Sequence, residues 1–398
     1  MSIKRVFLSL YAAVFISSLG LGILSPILPS YVEHFAASST VLGLVFGIYS
    51  ASRTIFMVPV GRLSDRIGRK VFIVTGLALF TVVSPLYIAA SSTTQLMLVR
   101  FLQGIAAAML MPVAMSYIGD LAPRGREGMT MGAFTSAFFA GLGFGPLIGG
   151  FLRDVYTMKA AFLGMGCMSL AALVITLMTL PPSIPGPSGA TPDRERGKVP
   201  AEPVVGHLGL RLAALFLFRF SRAVGIGFTW VLMPLYAVNS LGLSSLQVGV
   251  LLSVNTFLTT FLQGFMGHVS DRIGHMRSIS MGSLAAAAGM SIISWTTSFE
   301  GLVAVSLALG LAGAFIVPAG SALAVEIGRK KGMGSVMGIY GASLSLGTML
   351  GPVAGGVITD LWGIQTVFPV GGIIGVAGWA FLCLTYGWLN YRDSQRTA

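Results

Sequence analysis

Carboxylates are scarce in this chain. Asp and Glu number 13 among 398 residues, against 25 Lys and Arg, and charged residues make up only 10% of the sequence. A soluble domain carries nearer a quarter, so the composition argues against an ordinary water-soluble globule. Cysteine is rarer still. Cys167 and Cys383 both sit in apolar stretches, which suggests neither a disulfide nor a metal site. The four histidines form no ligand-spaced set, so no bound metal is expected. There is no phosphate-binding glycine loop and no Ser–His–Asp constellation. Neither an enzyme nor a cofactor is expected.

What the chain has in abundance is apolar length. Hydrophobic residues make up 55% of it and the mean hydropathy is +0.85. Apolar runs of about 20 residues recur from end to end, long enough for a helix to cross about 30 Å of hydrocarbon. No long period-2 alternation points to a barrel. Twelve spans are predicted. The first six are Val6–Pro29, Val41–Val60, Val71–Ala90, Gln95–Ile118, Met129–Leu152 and Ala160–Leu180. The second six are Leu208–Val238, Leu246–Met266, Arg277–Thr297, Gly301–Leu323, Gly334–Ile358 and Thr366–Leu389. The first apolar run is too long for a signal peptide and lacks a small-residue cleavage site, so it reads as a retained helix.

A net charge of +12 and a pI near 10.1 could suggest nucleic acid, but the distribution of the basic residues says otherwise. Only Arg153 and Lys159 fall in loops of one side, and Arg53, Arg100, Arg219 and Arg222 fall inside spans. All the others, from Lys4 and Arg5 to Arg392 and Arg396, flank the opposite side. By the positive-inside rule that side is cytoplasmic, with both termini on it, and the protein belongs in the inner (cytoplasmic) membrane. Nucleic acid is not an expected partner.

A Pro-, Gly- and charge-rich stretch divides the chain into residues 1–180, a cytoplasmic linker over 181–207, and residues 208–398. The halves are repeats. Asp65 and Asp271 lie 206 positions apart, as do Asp120 and Glu326, Asp154 and Asp360, and the segments "GPLIGG" (Gly145–Gly150) and "GPVAGG" (Gly351–Gly356). The expected fold is therefore an all-α membrane protein. Twelve transmembrane helices form two six-helix bundles, related by a pseudo-two-fold axis along the membrane normal, with a substrate site at mid-membrane.

The motifs resemble the major facilitator superfamily over essentially the whole chain, and its twelve-span drug:proton antiporter branch in particular. "GRLSDRIGRK" (Gly61–Lys70) is similar to that family's loop motif, with "GHVSDRIGHM" (Gly267–Met276) as a weaker second copy. "LVRFLQGIAAA" (Leu98–Ala108) resembles the helix 4 motif, and "LGLGILSPILP" (Leu19–Pro29) the helix 1 pattern. "GLGFGPLIGG" (Gly141–Gly150) resembles the helix 5 antiporter motif, and "GTMLGPVAGG" (Gly347–Gly356) is its counterpart in helix 11. The resemblance implies a latch: Asp65 docks near the start of helix 11, while Arg66 and Arg69 pair with acids such as Asp120. Asp271 and Arg272 form the weaker copy. The alternative is a tight charged turn that merely satisfies topology. Gly141, Gly145 and Gly149, four apart, admit a close neighbour, and Pro146 permits a bend, as do Gly351 and Pro352 in the second half. The resemblance places that glycine face against helix 8.

The resemblance also implies that spans 1, 2, 4, 5, 7, 8, 10 and 11 line the cavity, and all four intramembrane arginines fall on these. Arg53, Arg222 and Arg219 are expected to bind substrate there. Capping of backbone carbonyls is the alternative for each, as is snorkelling to the surface for Arg219. Tyr49 and Asn255, equivalent in the repeat, and Gln103 are further candidate contacts. Arg100 is tied to proton handling by the resemblance. Glu33 with His34 is the nearest titratable pair, and a solvated helix end its alternative. No acid falls at mid-membrane, a departure from antiporters of cationic drugs, which puts proton coupling in doubt. The expected activity is alternating-access export of amphipathic molecules, with anionic or zwitterionic substrates favoured. Organic-anion uptake or exchange, lipid translocation and a non-transporting receptor are the alternatives. Expected partners are a small-molecule substrate, membrane lipids and protons as a candidate coupling ion, with the chain acting as a monomer.

Overall fold

The computed structural model describes residues 3–121, 127–181 and 205–397. Among them there are helices and no strands. The first bundle contains α1 (Ile3–Glu33), α2 (Ser39–Ile67), α3 (Arg69–Ala89), α4 (Thr93–Leu121), α5 (Glu127–Val155) and α6 (Met158–Thr179). The second contains α7 (Val205–Leu241), α8 (Ser245–Ile273), α9 (His275–Ile293), α10 (Phe299–Lys331), α11 (Met333–Trp362) and α12 (Ile364–Thr397). All twelve are long and apolar enough to cross a membrane. Most of the expected 181–207 linker lies outside the described residues.

The helices outrun their hydrophobic spans because polar caps carry them on. Ser38 caps α2 by accepting from the N–H of Val41, and Ser244 with Gln247 forms a capping box on α8. The repeated decapeptide, expected as a loop, is instead almost wholly helical. It ends α2, turns on Gly68 alone at φ 113°, and begins α3 with Arg69; Gly274 at φ 97° does the same between α8 and α9. That backbone region is open to glycine and strained for other residues.

Within each bundle the strongest pairings are equivalent: α1 on α5 and α2 on α4, then α7 on α11 and α8 on α10. The two bundles meet chiefly through α2 with α11 and α5 with α8. Here backbones nearly touch. A Cβ on Gly43 would lie 2.2 Å from the Pro352 carbonyl oxygen, and one on the equivalent Gly249 would lie 2.3 Å from that of Pro146. Hydrocarbon gives helices no hydrophobic reason to associate, so such close packing has to hold them.

All the described inter-bundle bonds lie toward the end of the molecule away from the termini. Asp154, at the end of α5, accepts from the N–H groups of Ser245 (3.2 Å) and Leu246 (2.7 Å) at the start of α8. Asp360, its repeat partner at the end of α11, accepts from the N–H groups of Ser39 and Thr40, both 2.9 Å, and from the Thr40 hydroxyl at 2.6 Å. Each carboxylate thus satisfies orphan donors where the helix dipole favours an anion. Arg153 joins the first clasp by donating to the Ser245 hydroxyl. Nearer mid-membrane, Ser253 donates to the Gly143 carbonyl (2.6 Å), Ser25 donates to the Trp230 carbonyl (3.0 Å), and Phe144 and Phe257 stack edge to face. Toward the basic, terminus-bearing end no described hydrogen bond or ion pair joins the bundles. The described bonds that join the bundles are thus gathered toward the far end.

Replacing Gly43 or Gly249 by Val forces a side chain into the opposing proline carbonyl. We expect spin-label distances across the far end to lengthen in both variants. In Gly61→Ala, where nothing lies within 4 Å of the new Cβ, they should stay put.

Candidate functional site

A small pocket opens within the first half, walled by α1, α2, α4 and α5. Ser17, Ser18, Tyr49, Arg53, Met111 and Phe138 line it. Arg53 sits halfway along α2 and is partly buried. Among the described residues its guanidinium makes no hydrogen bond and no ion pair. Ser18 is spent on its own helix, donating to the carbonyls of Val14 and Phe15. The pocket therefore offers one unneutralised cation, aromatic faces and no carboxylate.

Behind Tyr49 lies Arg100, fully buried. Its guanidinium stands between the rings of Phe46 (4.8 Å) and Tyr49 (4.9 Å), and it donates to the Val45 carbonyl (3.2 Å) and Gln103 Oε1 (2.8 Å). The Tyr87 hydroxyl donates to the same Gln103 oxygen at 2.6 Å. Gln103, expected in the cavity, is thus buried as the acceptor that Arg100 and Tyr87 share, because three residues along a helix bring the two side chains together. Arg100 Nη2 and Gln103 Nε2 have no partner in the structure. Each of Arg100's partners is neutral.

The second half keeps this geometry without its charge. Asn255 stands at the position of Tyr49 and donates to the carbonyl of Ser306, which occupies the position of Arg100. Arg219 lies over the Tyr340 ring at 4.2 Å and donates to its hydroxyl at 3.0 Å, so it neither snorkels nor stands open. Arg222 departs from expectation. It lines a separate pocket with residues of α9 and α12, on the side of α7 away from the central opening. Three residues advance a helix by about 300°, leaving a gap of about 60° between the two arginines, enough to send one to α11 and the other to α12.

Glu33 and His34 do not pair. Glu33 accepts from the Asn239 side chain across the bundles, and His34 Nδ1 donates to the Ser30 carbonyl at 2.8 Å. Asp65 bonds Arg69 of its own segment at 3.2 Å and makes no other described bond, while Arg66, Asp271 and Arg272 are exposed. No described bond joins Asp65 to α11, and the side chain of Asp120 lies outside the described residues. In the second copy Ser270 Oγ and His275 Nδ1 are 3.0 Å apart, at the positions of Ser64 and Arg69.

Gly141, Gly145 and Gly149 pack on α1 of their own bundle, not on α8. Added Cβ atoms would meet the carbonyl oxygens of Phe15, Leu19 and Ile23 at 2.2–2.5 Å. A second small-residue stripe, Gly143 and Gly150, faces α8. Gly351 packs equivalently on Val224 of α7, with Pro352 against Gly227. The clasp carboxylates Asp154 and Asp360 were visible beforehand only as repeat markers. The signal that could have found them is an acid closing one helix opposite a serine-capped start of another.

The family model of the Major Facilitator Superfamily matches residues 10–221 and again 215–398. A curated, uncharacterized MFS-type transporter of Methanocaldococcus jannaschii is 29% identical over 387 residues, covering 94% of this chain and 96% of its own. Multidrug resistance protein 2 of Bacillus subtilis is 24% identical, covering 98% and 96%. Quinolone resistance protein NorA of Staphylococcus aureus is 29% identical over 177 residues, 44% of this chain and 45% of its own. Among solved structures, a bacterial homolog of the human lysosomal transporter Spinster, inward-facing and unoccupied, superposes with a TM-score of 0.83 at 17% identity, covering 96% of each chain. The human organic anion transporter MFSD10 gives a TM-score of 0.67 at 19% identity, covering 96% of this chain and all of its own.

Gln103→Leu strands two buried donors, and we expect thermal unfolding in detergent to register a loss of about 1–3 kcal/mol. Arg53→Ala removes no described bond and should leave stability without ligand nearly unchanged.

Proposed function

The chain belongs to the Major Facilitator Superfamily, and on that premise we propose that it is an exporter of amphipathic, anionic or zwitterionic small molecules. It is a twelve-span membrane transporter of small molecules, not an enzyme. The observation that carries the finer reading is Arg53: a cation inside a span, open to the pocket, with no carboxylate beside it. An intramembrane guanidinium costs upward of about 2.5 kcal/mol by the most lenient scale, so a pocket that leaves one unneutralised favours an anion and disfavours a cation. Export is supported by the helix 5 motif and by relatives named for multidrug and quinolone resistance.

The basic end is read as cytoplasmic, by the charge of its loops. The gathering of bonds at the far end then makes this an inward-open state in the inner membrane, ready to load from inside. Alternating access follows as the two clasps release and the Asp65 segment docks at the opposite end. The chain acts as a monomer. Proton coupling through Arg100 finds no support, since its partners are neutral. That same neutrality favours the second reading, an organic-anion exchanger needing no proton.

Thermal shifts with matched anionic, cationic and neutral amphiphiles test the charge preference. An anion at 100 times its dissociation constant should stabilise the protein by about 2.7 kcal/mol, and Arg53→Ala should abolish the shift. Stabilisation by cations, or uptake of the stabilising anion into inverted vesicles that survives Arg53→Ala, sinks the reading. Uptake of the stabilising anion into inverted vesicles, with and without a pH gradient, separates proton-driven export from exchange.

A further inference from the structure

The pocket that holds Arg222 is a product of divergence between the repeats. In the first half, the wall beside α1 is packed solid by Leu77, Phe80 and Met165, each almost fully buried. Their equivalents 206 positions on are Ser283, Ala286 and Gly371, and all three line the pocket between α7, α9 and α12. Met290, at the position of Ser84, and Phe228 fill the space over Gly371, so what stays open beside Ser283 and Ala286 is small. Three polar side chains line the pocket, Ser221, Arg222 and Ser283, and the Ser221 hydroxyl is spent on the Phe218 carbonyl of its own helix. Ser283 is 5% exposed and its buried hydroxyl has no partner in the structure. Arg222, at the middle of α7, makes no hydrogen bond or ion pair among the described residues. An orphan hydroxyl and an orphan guanidinium in one mid-membrane pocket are each costly to leave unmet, and an anion meets both.

We propose that Arg222 and Ser283 form an anion site, separate from the central pocket, that takes one compact monoanionic group. Charge limits it to an anion, and the single guanidinium to one negative charge. Apart from Ser221, the remaining walls, among them Phe218, Ala286, Ala287 and Met290, are apolar and tolerate little further polarity. A halide from water and the carboxylate of a single acyl chain from the bilayer share this chemistry.

The test is the unfolding temperature of the full chain in neutral detergent. Sodium chloride is compared with sodium gluconate at equal ionic strength, and sodium laurate with a neutral C12 alcohol. We expect one of the two anions to raise the midpoint by several degrees, equally in wild type and Arg53→Ala. The rise should be lost in Arg222→Met and in Ser283→Leu, which restores the filler of the first half. A chloride effect assigns the free ion, and a laurate effect alone assigns the acyl carboxylate. No shift with either, or a shift that survives both pocket variants, means that the pocket holds only water and overturns the site. A shift lost with Arg53→Ala and kept with Arg222→Met belongs to the central pocket. It overturns this proposal and leaves the transport reading intact.

Discussion

Four guanidiniums lie inside the spans of this protein, and none of them pairs with a carboxylate among the described residues. A charge in hydrocarbon must be solvated by something, and the local architecture follows from what does it. Arg100 is solvated by two aromatic faces, a carbonyl and the oxygen of Gln103. That binds α2 to α4 and sets Tyr49 as the floor of the pocket. Arg219 is solvated by Tyr340, which ties α7 to α11. Arg53 has only the pocket. The same charge thus ties helices together where its neighbours close over it, and stands open to a pocket where they do not.

The bundles are held differently from their interiors. Inside each, close glycine packing of α5 on α1 and of α11 on α7 makes one rigid body. Between them the far end is fastened by backbone proximity at Gly43 and Gly249 and by two carboxylates on helix starts. Such clasps are exposed to solvent and break without stranding a buried charge, which suits contacts that must be made and released in each cycle. Each is worth only a few tenths to about 1 kcal/mol at an exposed helix end, so a modest difference in ligand affinity can tip the balance.

Much of this was legible in the sequence. Apolar run length gave twelve spans because lipid leaves the backbone no other way to satisfy itself, and the constant offset of 206 gave two equivalent bundles. The ends of the helices were less legible, since hydropathy falls where capped helices such as Ser39–Ile67 continue into polar ground. The glycine stripe of α5 announced a close neighbour, and the resemblance named α8 where the structure has α1. The helix has two such stripes, and only assembly shows that 141, 145 and 149 meet α1 while 143 and 150 meet α8. Gln103 looked like a cavity group because polarity in a span usually has an outlet, and its outlet was Arg100, one turn away.

Arg222 was harder, and instructive. Its own helix said only that it lay near Arg219. The deciding residues are on another helix, in the losses from Leu77 to Ser283 and from Phe80 to Ala286. A duplicated fold carries its own control: where one copy is packed and the other hollow, the backbone does not require the hollow. Divergence that opens space and also places an orphan cation and an orphan hydroxyl in it leaves the second bundle with a polarity the first lacks. The two halves therefore share one backbone plan and differ in what they pack against it.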